Sequence, residues 1–350
     1  MQRWTTGRGR LALLWLLLSG WLLGGLAGCA EVNARPQPTA TPAPATLPLP
    51  PQLGAYHLFV TDLISGDLYA LGAQTYAVAR STHGLGLSPD GHSLYVTDSI
   101  GGRLLVFHLS NGRLSDEHAV KVGAQPVHMV ASPDGRYIFV TNFSGSSVSV
   151  VDTTTWSLAR TIQTPAAPHS IVLSPDGRYA YVACYLGAAV AIIDIARQAL
   201  VGTIPLPALA RPYGLGISHD GHYLYASDNF SGRLFTLDAL ARRALTSTQV
   251  GLAPALIARS PDGTRLYVAN GKSHDLSTVD IASDPAAPSV IATTPLDGYP
   301  HGVSVTPDGR YIAVADTVSG DVEIVDALSH QVIATVTGMQ YPNDTIALAA

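Results

Sequence analysis

The chain has little of what helical proteins depend on. Lysine occurs only at Lys121 and Lys272, and glutamate only at Glu31, Glu117 and Glu323, in 350 residues. Helix-rich chains lean on Ala, Leu, Glu and Lys, so a mainly helical fold is not expected. Charged residues amount to 13% against 47% hydrophobic, which excludes a disordered chain or a coiled coil and leaves enough apolar mass for a large core. Basic residues number 20 against 25 acids, and Arg3, Arg8 and Arg10 all fall in the first ten positions. No basic face remains for a nucleic acid. Cysteine is nearly absent too: after Cys29, Cys184 stands alone and the fold must rest on packing without an internal disulfide.

What is present begins with an address. The three arginines precede an uncharged run from Leu11 to Leu23, followed by small residues, the layout of a secretory signal. The run is short for a bilayer span of about 20 residues. Leu26-Ala27-Gly28-Cys29 resembles the lipobox of bacterial lipoproteins, and the resemblance implies cleavage before Cys29 and lipidation of its thiol. Residues 1–28 are therefore expected to be a lipoprotein signal peptide. Residues 29–52 hold the lipidated Cys29 and a Pro/Thr/Ala-rich linker, whose prolines Pro36, Pro38, Pro42, Pro44, Pro48, Pro50 and Pro51 favour extended, unpacked backbone. Two or more acyl chains on Cys29 would hold the protein stably on the outer side of the cell membrane, at the surface or in the periplasm.

The remaining segment, 53–350, is repetitive. Ser88-Pro89-Asp90-Gly91 recurs at 132–135, 174–177, 218–221 (with His219), 260–263 and 306–309 (with Thr306), at steps of 42 to 46 residues. Seven residues after each glycine a strand ends on a short residue: Asp98, Asn142, Cys184, Asp228, Asn270 and Asp316. The strands, such as Ile138-Phe139-Val140-Thr141-Asn142, are apolar on both faces and so must be covered on both. Pro126, Pro168, Pro212, Pro254 and Pro300 each open a preceding strand, where a missing N–H costs no ladder bond. Leu58-Phe59-Val60-Thr61-Asp62 matches the second strand with no first strand before it, and the chain's last residues from Tyr341 match a first strand alone. The two fragments complete one unit. Seven units of about 43 residues have the length of four-stranded propeller blades.

The strand Phe139-Val140-Thr141-Asn142, with its Ser-Pro-Asp-Gly turns, resembles the YVTN family of β-propeller repeat proteins over essentially all of 53–350. The resemblance implies an all-β, seven-bladed propeller of four-stranded blades, closed by the C-terminal strand completing the first blade.

Histidine carries the functional signal. Counting five positions before each turn gives His83, Val127, His169, Tyr213, Ala255 and His301, with Asn343 in the terminal copy; His128 lies one place later in its own. In a propeller the first strands lie nearest the axis, so these polar residues are expected to converge at one channel mouth. There they form a candidate ligand site, and His83, His169 and His301 are candidate metal ligands for copper, zinc or a haem iron. A plainer alternative is that each imidazole caps its own strand. No cofactor is required by any motif. Cys184 reads as a small buried residue.

On this footing the expected function is a monomeric, membrane-anchored, extracytoplasmic binding or scaffold module without enzymatic activity, acting on an envelope protein or a small-molecule ligand. The alternative is a propeller enzyme or a metal- or haem-binding protein with its site at the channel mouth. Pro300-His301-Gly302 is similar to a motif of the bacterial lactonase propellers, and His169, His301 and Arg211 are the candidates for acid, base and oxyanion stabiliser in that case.

Overall fold

Strands apolar on both faces are stable only between two covering layers, and here neighbouring sheets supply them. The computed structural model describes residues 47–350. Its strands, numbered β1 to β28 in chain order, form seven antiparallel sheets of four strands. In blade 3, β8 (Pro126–Ala131), β9 (Tyr137–Asn142), β10 (Ser147–Asp152) and β11 (Ser157–Gln163) lie in that order from axis to rim. The middle strands are buried, whereas β11 is exposed at all but one of its positions before Gln163. The innermost strands are β4 (Thr82–Leu87), β8, β12 (Pro168–Leu173), β16 (Pro212–Ile217), β20 (Pro254–Arg259), β24 (Pro300–Val305) and β28 (Pro342–Ala349), and each contacts the next around the axis.

The ring closes as expected. Strand β28 pairs with β1 (Tyr56–Asp62) from Tyr56↔Ala349 to Asp62↔Pro342 and so supplies the first blade's missing inner strand. Seven apolar clusters fill the seven junctions between blades; one, for example, joins Tyr181, Val190 and Ile192 of blade 4 to Leu215, Leu224 and Phe235 of blade 5. The core is thus distributed between sheets instead of lying at the centre. The low charge of the chain follows from this arrangement, because both faces of every blade are covered.

Local chemistry explains the repeat. In the turn Ser132–Gly135 the Ser132 hydroxyl donates to Asp134 Oδ1 at 2.5 Å, that oxygen accepts from Arg136 N, and Gly135 takes a φ of +69°, a conformation for which glycine needs no side-chain accommodation. The strand-end residues cap loops: Asp62 accepts from Ile64 N and Ser65 N with one oxygen and from Gln340 N and Tyr341 N with the other.

Just after its opening residue each of these inner strands slips register against its neighbour, between Thr82 and Leu85, Pro126 and Met129, Pro168 and Ile171, Pro212 and Leu215, Pro254 and Ile257, and Pro300 and Gly302. A bulge of this kind strands an N–H. The hydroxyl near the end of the second strand recovers it: Thr97, Thr141, Ser227 and Thr61 accept from Gly84 N, His128 N, Gly214 N and Asp344 N. The same hydroxyls donate to carbonyls of the next blade, Val127, His169, Ala255 and His83, at 2.6–2.8 Å. In these four blades the hydroxyl, from threonine or serine, is therefore a stitch to the next blade.

The expected signal peptide 1–28, Cys29 and the linker up to residue 46 lie outside the described residues. Within the rest of that linker, Leu47 and Leu49 pack against the cluster between blades 7 and 1, and Leu47 O accepts from Gly72 N at 2.8 Å. Packing thus begins before residue 53. Among the described residues no helix is long and apolar enough to cross a membrane.

Candidate functional site

The bulges free the second residue of each innermost strand from its ladder, and in β4, β8, β12, β16 and β20 the third as well, and this gathers most of the polar residues singled out by register. His83 lies 5.1 Å from His128, 5.6 Å from His169 and 6.2 Å from His301, centroid to centroid. His128 and His169 are 4.9 Å apart, and the Tyr213 ring lies 3.7 Å from His169 and 5.5 Å from His301. Asn343 is brought in by its backbone and amide: its carbonyl accepts from His301 Nδ1 at 2.9 Å, and its Nδ2 donates to His83 O at 3.2 Å. Val127 and Ala255 take the same position in the other two blades and are buried.

Hydrogen bonding fixes the tautomers. A carbonyl can only accept, so His301 carries its proton on Nδ1, and Nε2 accepts from the Tyr213 hydroxyl at 2.8 Å. His128 presents Nδ1 to Asp344 Oδ2 at 3.7 Å, and both side chains are nine-tenths buried. The Asp344 carboxylate is held by Leu85 N on one oxygen and Thr345 N on the other. That leaves His83 Nδ1, His128 Nε2 and His169 Nδ1 buried and without a partner. Burial keeps all four imidazoles neutral by lowering their pKa, that of His128 to about 3. Burial likewise pushes the Asp344 carboxyl up, to about 7.

Asp344 escaped the sequence reading, which stopped at Asn343. A signal was available: at the third residue of the innermost strand the other blades hold Gly84, His128, Ser170, Gly214, Leu256 and Gly302, and Asp344 alone is a carboxylate.

Not every candidate has a free ligating atom or lies in this cluster. His301 has both ring nitrogens engaged, so the expected metal set of His83, His169 and His301 keeps only two free imidazoles. Among the described residues no group of three or more His, Cys, Asp or Glu is disposed to hold a metal. Arg211 stands at the rim, its guanidinium 5.9 Å from the centre of the Tyr185 ring and bonded to Ala210 O at 3.2 Å. Cys184 is fully buried, and burial pushes its thiol up to about 12, which makes it inert.

Fold and site together define a closed seven-bladed propeller with a neutral imidazole cluster and one carboxyl group at a mouth of the central channel. The chain belongs to the lactonase family of seven-bladed β-propellers, whose family model matches residues 79–250 and 233–331. No curated protein matches the sequence. Among solved structures it is similar to the periplasmic gluconolactonase of Pseudomonas aeruginosa, with 23% identity over 84% of this chain and 99% of that one and a TM-score of 0.72. A putative 6-phosphogluconolactonase of Bacteroides fragilis shows 17% identity over 85% and 99%, with a TM-score of 0.73. The hydrazine synthase of Kuenenia stuttgartiensis shows 22% identity over 75% and 88%, with a TM-score of 0.67. Likeness at these identities is one of fold.

Family membership corrects the expected function. A non-enzymatic scaffold was inferred from the absence of catalytic motifs, but a lactonase family points to a hydrolase. No local motif announces such a site, because in a propeller the polar groups at a channel mouth come from separate blades.

Proposed function

We propose that the protein hydrolyses a lactone at the channel mouth, with His128 as general base and Asp344 as the residue that positions it. The observation that carries this reading is the His128–Asp344 pair in a chain of a lactonase family: a carboxyl group faces Nδ1 while Nε2 is unpartnered. Asp344 favours the tautomer with the proton on Nδ1, leaving the Nε2 lone pair free to take a proton. A water deprotonated by His128 attacks the lactone carbonyl. The developing imidazolium is met by the Asp344 carboxylate. The ring C–O bond then breaks, the proton on His128 passes to the leaving oxygen, and a hydroxy acid departs. His83 and His169 keep the pocket neutral and polar. The test is pH-stat hydrolysis of a lactone panel: His128→Ala should lower kcat by about 10²- to 10⁴-fold, and an unchanged kcat would remove His128 from the mechanism.

The amino-terminal reading supports a location. The Leu26–Cys29 lipobox, the likeness to YVTN repeat proteins and the proline-rich linker favour a lipoprotein anchored through Cys29, with its propeller outside the cell membrane. Its partner there is the membrane itself. Radiolabelled fatty acid should enter the wild-type protein and not a Cys29→Ser variant; equal labelling would overturn the anchor.

A further inference from the structure

The loops around the same mouth are patterned in a way the lactonase reading does not use. After each second strand comes a residue turned inward at the mouth and then one at the loop tip. The tip residues are exposed in all seven blades, and in five they are large and apolar: Ile64 (51% exposed), Ile100 (67%), Leu186 (54%), Phe230 (71%) and Val318 (57%). The other two are Ser144 and Lys272. Leu209 and Leu252, in the loops leading to β16 and β20, are exposed on the same side. Isolated exposed apolar residues need no explanation, but recurrence at one equivalent position on one face marks a contact surface.

Inside this ring the wall is aromatic. Phe143 lies 6.1 Å from Tyr185 and 6.0 Å from His169, and Tyr185 lies 5.8 Å from Tyr213. Tyr299 and Tyr341, each immediately before an innermost strand, are half-buried at the same mouth. Cations are sparse. Arg211 is turned onto Tyr185 and its own loop carbonyls, while Lys272 on a tip of the next blade and Arg80 in the loop leading to β4 stand exposed on separate blades. A phosphate dianion is ordinarily held by several converging guanidinium or ammonium groups or by the N-terminus of a helix. The only helical element among the described residues is the short turn Pro51–Leu53.

We infer that the substrate is an uncharged lactone whose ring carries an apolar tail, the ring held among the mouth aromatics and the tail laid across the apolar tips, and not a phosphorylated sugar lactone. This inference rests on the lactone-hydrolase reading for its chemistry, but the specificity belongs to the wall and tips. Each methylene removed from water contributes about fourfold in affinity, so contact with two or three tail carbons is enough to set a preference of tenfold or more.

The experiment uses the full chain and compares an unsubstituted five-membered lactone, its hexyl- and decyl-substituted analogues, gluconolactone and its 6-phosphate. The expected kcat/KM rises at least about tenfold from the unsubstituted ring to the decyl analogue and is lowest for the phosphate. In the Leu186→Ser/Phe230→Ser double variant that ratio should fall toward one. Leu328→Ser, at an apolar residue 86% exposed on a loop of the opposite face, should leave it unchanged. A flat tail-length series, or a preference for the phosphorylated sugar lactone, would overturn the inference while leaving a lactonase. If no lactone is cleaved, calorimetric binding of the corresponding non-hydrolysable lactams decides: tail-dependent binding lost in the double variant keeps the specificity and sinks only the hydrolase reading, and tail-independent binding sinks both.

Discussion

Asp344 Oδ2 and His128 Nδ1 face one another at 3.7 Å although they belong to blades 1 and 3. Blade 2, between them, contributes Gly84 at the equivalent position, and a Cβ there would sit 2.9 Å from His128 Nδ1 and 2.2 Å from Val127 O. The missing side chain lets two non-adjacent blades meet across the axis. Asp344 must be ionised to attract the Nδ1 proton and the imidazolium that forms, and its pKa is raised to about 7. Lactone hydrolysis should therefore increase with pH through about 7 and level off above it. In Asp344→Asn the rising limb should vanish and kcat should drop about 10- to 100-fold. A pH–rate profile of the two proteins checks this, and a rising limb retained in the variant would assign it to another group.

Tyr213 gives a second expectation. Its hydroxyl donates to His301 Nε2 at 2.8 Å, and its ring packs 3.7 Å from His169. Tyr213→Phe keeps the ring but leaves a buried imidazole nitrogen without a donor, which costs about 1–3 kcal/mol. Urea unfolding should report a loss in that range. A midpoint equal to wild type would mean that water replaces the hydroxyl.

Much of the fold was legible because its information is local and repeated. Ser132-Pro133-Asp134-Gly135 specifies a turn by itself, and Ile138–Asn142 declares a strand covered on both faces. Closure by β28 could be read because the first and last units were each incomplete. The site was legible only in part. Register alone placed His83, His169, Tyr213 and His301 together. It could not show that His301 is saturated by Tyr213 and Asn343, nor that Asp344 reaches past Gly84 to His128. Those facts depend on the bulge after each opening residue, which the sequence does not mark.

Ring closure predicts a large effect from a small deletion. Ile346 and Leu348 on β28 pack against the cluster between blades 1 and 2, and Thr345 to Ala349 pair with β1. Removing Thr345–Ala350 exposes Phe59 and Val60 and forfeits about 1.5–3 kcal/mol from the two half-buried aliphatic side chains. The truncated protein should melt well below the full chain by calorimetry. Equal melting temperatures would refute closure as a source of stability.

The last prediction comes from comparing blades. In blade 3, Asn142 Nδ2 donates to Ser147 Oγ at 3.2 Å and to Ser149 Oγ at 3.0 Å; in blade 6, Asn270 Nδ2 donates to Asp275 at 2.6 Å and to Ser277 at 2.9 Å. Blade 2 replaces the amide with Asp98 and balances it with Arg103 at 2.7 Å. Blade 7 has Asp316 at this position, with Asp321 and Glu323 where the serines or the arginine would be. No donor or cation takes the amide's place, and Asp316 Oδ2 is buried without a partner. Burial and the neighbouring carboxylates raise the Glu323 carboxyl to about 7, and burial raises Asp316. A carboxyl whose folded pKa exceeds its unfolded value favours the fold fully below the unfolded pKa and loses that contribution as pH rises through the folded one. Stability should thus decline between about pH 4.5 and pH 7. Asp316→Asn restores the amide, which can donate to Glu323 while its oxygen still accepts from Tyr299 N and Ser319 N. The variant should be more stable than wild type at pH 8 by about 1 kcal/mol, the value of one net hydrogen bond, and the difference should shrink at pH 5. Melting curves at the two pH values decide it: a variant less stable than wild type at pH 8 would show that blade 7 does not follow the rule of its neighbours.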